Sequence, residues 1–215
     1  MMETSTLSLL TTIDKVMRKI APGPSPYFNE AHVVKVVELI GDHRNIGRIR
    51  LSKELDLGEG TTRTLLKHLK NEEITQSSRI GISFSKKGNK LFSELRSKLS
   101  PCKEVPSTPL TIGTYNIAVL VRDSAKAVRS GMEQRDIAIK SGASGATTLI
   151  FSSNKLSLPM GEENISKSMP DLHNMLVAQF NPKENDVIIV GCGENRETAE
   201  IGAKMAAIKL LKNNS

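Results

Sequence analysis

The chain has 215 residues, of which 38% are hydrophobic and 25% charged, enough to bury the cores of two compact domains. Aromatic residues make up 3% and Trp is absent, which argues against the stacking platforms that hold single-stranded nucleic acid. The formal charge is +7, and Arg44 to Lys98 alone holds thirteen Lys/Arg against six Asp/Glu, so an anionic partner is expected for that segment.

Residues 4–20, TSTLSLLTTIDKVMRKI, place Leu9, Ile13, Val16, Met17 and Ile20 at helical spacing. The prolines of APGPSPYF end this helix, which can pack on its own domain or on a second subunit. Asn29 is a good N-cap, with Phe28 and Val33 as a hydrophobic staple, for the helix EAHVVKVVELI that stops at Gly41. A short strand, IGRIR, then leads into the amphipathic helix LSKELDL, with Leu51, Leu55 and Leu57 apolar. GEG makes a turn, and EGTTRTLLKHLKNEEI forms the next helix. ITQSSR and IGISFS are two strands meeting near Arg79–Gly81, and Ser85 caps a last helix with Leu91, Phe92, Leu95 and Leu99 inward. Helix, strand, helix, turn, helix, two-stranded wing, helix is the order of a winged helix-turn-helix.

The two helices of LSKELDLGEGTTRTLLKHLKNEEI and the FSKKGNKLFSEL that follows resemble the large prokaryotic class of winged-helix transcription regulators, over residues 28–99. At about 100° per residue, Thr62, Leu65, Leu66 and Leu69 gather on one side of the second of these helices. Gly60, Arg63, Thr64, Lys67 and His68 fall on the other, with no carboxylate among them. A solvated face ordinarily mixes both signs. Long cations and short hydroxyls suit a helix lying in a major groove. Arg63 is the side chain best able to read guanine, Lys67 suits the phosphate backbone, and Thr61 and Thr64 suit phosphates or base edges. His68 reads equally as a contact or as a structural residue. Ser52 and Lys53, taken as the start of the preceding helix, are expected phosphate contacts. Arg79 at the wing tip would reach a minor groove, with Lys86 and Lys87 adding to the backbone clamp.

Residues 100–114, SPCKEVPSTPLTIGT, contain three prolines and read as a linker. Beyond it, YNIAVLVRD is a buried-type strand, followed by one helix, SAKAVRSGMEQRDIAIKSGA. GATTLIF and KLSLP are strands around the turn SSN. Residues 171–180 form a helix, NDVIIVGCG another strand, and NRETAEIGAKMAAIKLLKN the final helix. This pattern implies an α+β chain whose C-terminal domain, residues 115–215, is a two-layer sandwich on a four-stranded sheet, ferredoxin-like or related. Residues 1–27 supply an N-terminal helix and linker.

Taken together, the two halves resemble an archaeal family that joins a winged helix to a C-terminal domain of unknown function. NIAVLVRD, RSGMEQRDIAIKSGASGATTLIF and GENRETAEIGAKMAAIKLL carry the resemblance in the second half. It implies a transcriptional regulator, with no established ligand or reaction.

Chemistry is sparse in the second half. Only His173 of the four histidines lies there, and neither metal nor cofactor is expected. VGCGENRET invites comparison with a phosphate-binding turn, but its Gly-x-Gly is incomplete and Glu194 and Glu197 favour the helix start themselves, so helix capping is the better reading. Cys192 in that turn reads as a buried structural thiol rather than a reactive one. Arg129, Glu133, Asp136 and Lys140 suggest an exposed ion-pair ladder. Arg122 and Arg135 are the candidates for lining an anion-binding pocket. Ala199, Gly202, Ala203, Ala206 and Ala207 make a small-residue face for close packing on the sheet or on a symmetry mate.

Cys102 and Cys192 lack metal-ligand spacing, so reduced thiols are expected rather than a disulfide. No apolar run nears spanning length, and MMETSTLSLL lacks the basic region of a signal peptide, so a cytoplasmic protein without a membrane segment is expected. The expected function is a homodimeric regulator that grips double-stranded DNA through residues 28–99, with residues 115–215 sensing a small-molecule effector or pairing subunits. The alternatives are a winged helix that recruits protein instead of DNA, and an enzyme acting through the C-terminal domain.

Overall fold

A computed structural model of the chain describes residues 3–18, 27–160 and 164–214. Ile20 and the prolines Pro22, Pro24 and Pro26, on which the first expected helix end rested, lie outside the described residues. The chain divides into two compact units, Met1–Arg96 and Ser97–Ser215.

The first unit runs α1 (Glu3–Met17), α2 (Glu30–His43), α3 (Arg48–Glu54), α4 (Glu59–Asn71), β1 (Thr75–Ser78), β2 (Gly81–Phe84) and α5 (Lys86–Lys98). It is the winged helix expected from the order of elements. Leu9, Leu10, Ile13 and Val16 bury one stripe of α1, which packs on α2 and α4 of its own unit. Asn29 caps α2 by accepting from His32 N, while the His32 ring accepts from Asn29 N, and Phe28 and Val33 are buried behind the cap. The helix passes through Gly41 rather than stopping there. That glycine is used for packing, since a Cβ on it would overlap the Phe92 ring of α5.

The expected strand IGRIR shrinks to a single antiparallel bridge between Ile46 and Ile82. Gly47 serves as the N-cap and α3 has already begun at Arg48, which puts Leu51 on the buried side one turn in. Ser85 starts α5: its hydroxyl accepts from Gly88 N at 3.1 Å and donates to the Glu73 carbonyl. Gly88 itself is needed because a Cβ there would overlap the Ile74 carbonyl oxygen.

The second unit runs β3 (Lys103–Glu104), β4 (Tyr115–Val121), a 3-10 turn (Ala125–Ala127), α6 (Met132–Lys140), β5 (Gly145–Ser152), β6 (Lys155–Ser157), α7 (Ile165–Ser168), α8 (Pro170–Phe180), β7 (Val187–Gly193) and α9 (Arg196–Asn213). The sheet has five strands, one more than expected, in the order β3-β4-β7-β5-β6, and every neighbouring pair is antiparallel. The extra strand comes from the proline-rich segment 100–114, where β3 pairs along β4 at the sheet edge, a place that tolerates proline. The last strand, β7, lies between β4 and β5. Among the four expected strands the order is β4-β7-β5-β6, with the first at one end, whereas a ferredoxin-like sheet puts its first strand inside.

Both faces of the sheet are covered, so the expected two layers become three. β7 reads VIIVGCG and is buried at every position, as a strand with helices on both sides must be. Ala118, Leu120, Leu149, Phe151, Ile188 and Val190 face Leu172, Leu176 and Phe180 of α8. Helices α6 and α9 pack together on the other face. The small-residue face of α9 meets the sheet and α6: a Cβ on Gly191 would overlap the Ala199 carbonyl oxygen, and one on Gly202 would come within 2.5 Å of the Ala143 Cβ. The SSN turn is a tight hairpin with Ser153 and Asn154 both at positive φ.

The single helix expected over residues 124–143 is two pieces. Gly131 is left-handed at φ +78 and separates the 3-10 turn from α6. Glu133 turns from the expected ladder towards α9, pairing with Lys209 at 3.2 Å and accepting from Asn213 at 2.8 Å.

Candidate nucleic-acid interface

Helix α4 owes its placement to one buried stripe. Thr62, Leu65, His68 and Leu69 are buried, while Arg63, Thr64, Lys67 and Lys70 are exposed and Leu66 is half-buried. Spacings of four and three put Arg63, Lys67 and Lys70 on the same face. The start of α3 and the wing stand beside that face. Together they form a groove of about 510 Å³ whose lining includes Arg48, Arg63, Lys67, Lys70 and Arg79 and no carboxylate. Among the described residues none of these five cations makes an ion pair, whereas Arg96 of the same unit bridges Glu38 at 2.9 Å and Asp42 at 3.1 Å.

The wing tip is ordered by its own residues. Ser78 and Gly81 pair across a two-residue turn, with Ser78 Oγ accepting from Ile80 N at 3.3 Å. Gly81 at φ +134 lies against the Ile46 carbonyl, where a Cβ would sit 2.9 Å from the oxygen. This holds Arg79 and Ile80 outward, Ile80 being 77% exposed. Lys86 and Lys87 are exposed on the first turn of α5, which carries no acidic residue. Cations at a helix start are mildly destabilising, so intrahelical electrostatics does not account for them.

Two of the expected contacts are structural instead. Ser52 is in the last turn of α3, not its first, and is buried with its hydroxyl donating to the Leu57 carbonyl. His68 is 4% exposed and faces the core. Its Nδ1 donates to the Val16 carbonyl at 2.6 Å and its ring meets Phe28 edge-on at 5.5 Å, tying α4 to α1. The rotation of α4 that buries Leu65 and Leu69 carries His68 with them, one turn after Leu65. Thr61 is half-buried, and Thr64 donates to the Gly60 carbonyl at 3.1 Å while staying exposed. Lys53 is exposed outside the groove. Arg48 and Lys70 were absent from the sequence candidates. The spacing of Lys70 from Lys67 signalled its face, while Arg48 was hidden by the expected strand.

In the second unit the two arginine candidates part company. Arg122 is committed: its Nη1 donates to buried Asp186 at 2.6 Å, and Asp186 also accepts from Asp123 N at 2.9 Å and Lys183 N at 2.8 Å. Arg135 is half-exposed, pairs with neighbouring Asp136 at 3.1 Å and lines a separate pocket. At VGCGENRET, Asn195 caps α9 by accepting from Thr198 N at 2.8 Å. Burial pushes the Cys192 thiol up, with backbone contacts from Ile112 and Gly113 acting the other way, so a reactive thiolate is disfavoured. Among the described residues no cluster of three or more His, Cys, Asp or Glu is placed to hold a metal ion, and no helix is long and apolar enough to cross a membrane.

The fold and groove define a two-unit winged-helix protein with a cationic face on the first unit. Residues 35–90 match the PH0730-like N-terminal domain, and residues 112–210 match a domain of unknown function, DUF4443. The chain is similar to a solved structure, "Hypothetical protein PH0730 from Pyrococcus horikoshii OT3", at 28% identity and a TM-score of 0.68, over 86% of this chain and 94% of that one. The archaeal resemblance of the sequence thus has a structural counterpart, and none of these descriptions names an activity. No curated protein matches the chain.

Proposed function

We propose that the first unit binds double-stranded DNA, with α4 in the major groove and the wing on the neighbouring backbone and minor groove, and that the chain is a transcriptional regulator. One observation carries the reading: five cations line the groove without an ion pair among the described residues, in a unit that pairs Arg96 with two carboxylates. Phosphates are the polyanion that such a row fits, and a short helix beside a β-hairpin is the shape that enters a duplex groove. Two copies would present two such helices to a two-fold site, which favours a homodimer. The second unit then has room for a regulatory role.

The test is binding of the full-length chain to random duplex DNA across a salt series. Affinity should fall steeply with salt, and the double substitution Arg63→Ala plus Lys67→Ala should flatten the logarithmic slope by about two. Absence of binding at low salt would sink the DNA reading and favour a protein-recruiting winged helix.

A further inference from the structure

We infer that the second unit holds a phosphate-binding pocket at the start of α6. A pocket of about 300 Å³ opens there, lined by Ser130, Gly131 and Arg135 at the helix start, Thr148 of β5, and Leu158 and Pro159 after β6. The helix begins without a side-chain cap. Its first amides, Met132 to Gln134, therefore have no intrahelical acceptor, apart from a long 3.4 Å contact of Met132 N with Ser130 Oγ. Backbone amides and the positive end of the helix dipole suit an anion.

The helix start is not the only indication. Thr148 is 3% exposed and, among the described residues, its hydroxyl has no hydrogen-bond partner. Folded proteins seldom leave such a group unmatched. Its side chain lies against the helix start: a Cβ placed on Gly131 would be 3.5 Å from Thr148 Oγ1. Gly131, with no side chain, leaves that approach open. In the same turn Gln134 is 1% exposed with both amide atoms unpartnered.

Charge completes the site. Arg135 lines it and, among the described residues, pairs with its exposed neighbour Asp136, a partner that the guanidinium can exchange for a phosphate. The one carboxylate of the first turn, Glu133, is drawn to Lys209 and Asn213 of α9. Amides, hydroxyl and guanidinium together match the several acceptor oxygens of a phosphate group. Leu158 and Pro159 offer an apolar wall to whatever the phosphate is attached to. The volume lies at the lower end of the range for small-molecule pockets, suiting free phosphate or a small monoester.

The test is an amide NMR titration of the full-length protein with inorganic phosphate and, separately, glycerol phosphate, at matched ionic strength in chloride. The amides of Glu133 and Gln134 should shift to saturation. Thr148→Val should weaken binding by about tenfold, the loss of one hydrogen bond to a charged group. It should melt no lower than the parent, because it deletes an unpaired hydroxyl. Arg135→Gln, at an exposed position, should weaken binding without touching the core. Tighter binding of glycerol phosphate would identify a monoester as the ligand, and equal affinities free phosphate. Unmoved amides, or the same shifts in both variants as in the parent, would overturn the assignment. No step involves DNA, so this outcome is separate from that of the proposed function.

Discussion

The two units place their cations differently. In the second, Arg122, Arg135, Arg196, Lys204 and Lys209 each lie within 3.2 Å of a carboxylate oxygen. In the first, Arg48, Arg63, Lys67, Lys70 and Arg79 share one groove and none has such a neighbour among the described residues. The first unit does not lack the means, because Arg96 sits between Glu38 and Asp42 and over the Phe92 ring at 5.1 Å. The pairs of Arg122, Arg196 and Lys209 join separate segments of one fold, while those of Arg135 and Lys204 each stay within one helix. Unpaired cations crowded together repel, and their arrangement supports an external polyanion as the missing partner.

The largest effect that this contrast predicts is on stability in the second unit. Asp186 is buried and accepts from Arg122 and two backbone amides, so Asp186→Ala takes an acceptor from three donors at once, while Arg122 keeps its 3.4 Å contact with the Asn181 carbonyl. A loss of about 3 kcal/mol is expected in urea unfolding, as for a buried pair deprived of one member. A loss below about 1 kcal/mol would mean that pairing in this unit is incidental, and the contrast would fail.

His68 gives the next largest effect. His68→Ala removes the hydrogen bond to Val16 and the edge contact with Phe28, and leaves a void between α1 and α4. About 2 kcal/mol of stability should go. The salt slope of DNA binding should stay as it is, since the side chain points away from the groove. A flattened slope in a variant that remains folded would put His68 back among the contacts.

Much of this was legible in the sequence because of periodicity and punctuation. Asn29, Ser85 and the Gly81 tip announced their caps and turn, and short apolar, β-branched runs announced β4, β5 and β7. What failed were features set by distant contacts. Strand IGRIR collapsed to one bridge because Gly47 lets α3 begin early, and this concealed Arg48 and misplaced Ser52 by a turn. Helical phase was off for His68, whose partner Val16 is fifty-two residues away. Residues 124–143 read as one helix because Gly131 inside a helical pattern is ambiguous until its positive φ is known. That misreading hid the start of α6 and the pocket beside it. The sheet order was beyond local pattern altogether, since it depends on β7 entering between two strands formed earlier in the chain.

The smallest expected change in stability is also the sharpest test of the contrast. Arg48→Ala and Lys70→Ala each remove an exposed cation that has no ion pair among the described residues, from a groove where four like charges remain. Stability should move by no more than about 0.5 kcal/mol, upward if the mutual repulsion outweighs the contacts of the long side chains. On DNA each variant should lower the salt slope by about one, since each removes one phosphate-neutralising charge. The two readouts have to separate. A fold that is indifferent to these residues, combined with DNA binding that is not, is the signature of charges kept for a partner. If either substitution instead destabilises the first unit by more than about 1 kcal/mol, that cation is held by the fold, and the groove no longer differs in kind from the paired charges of the second unit.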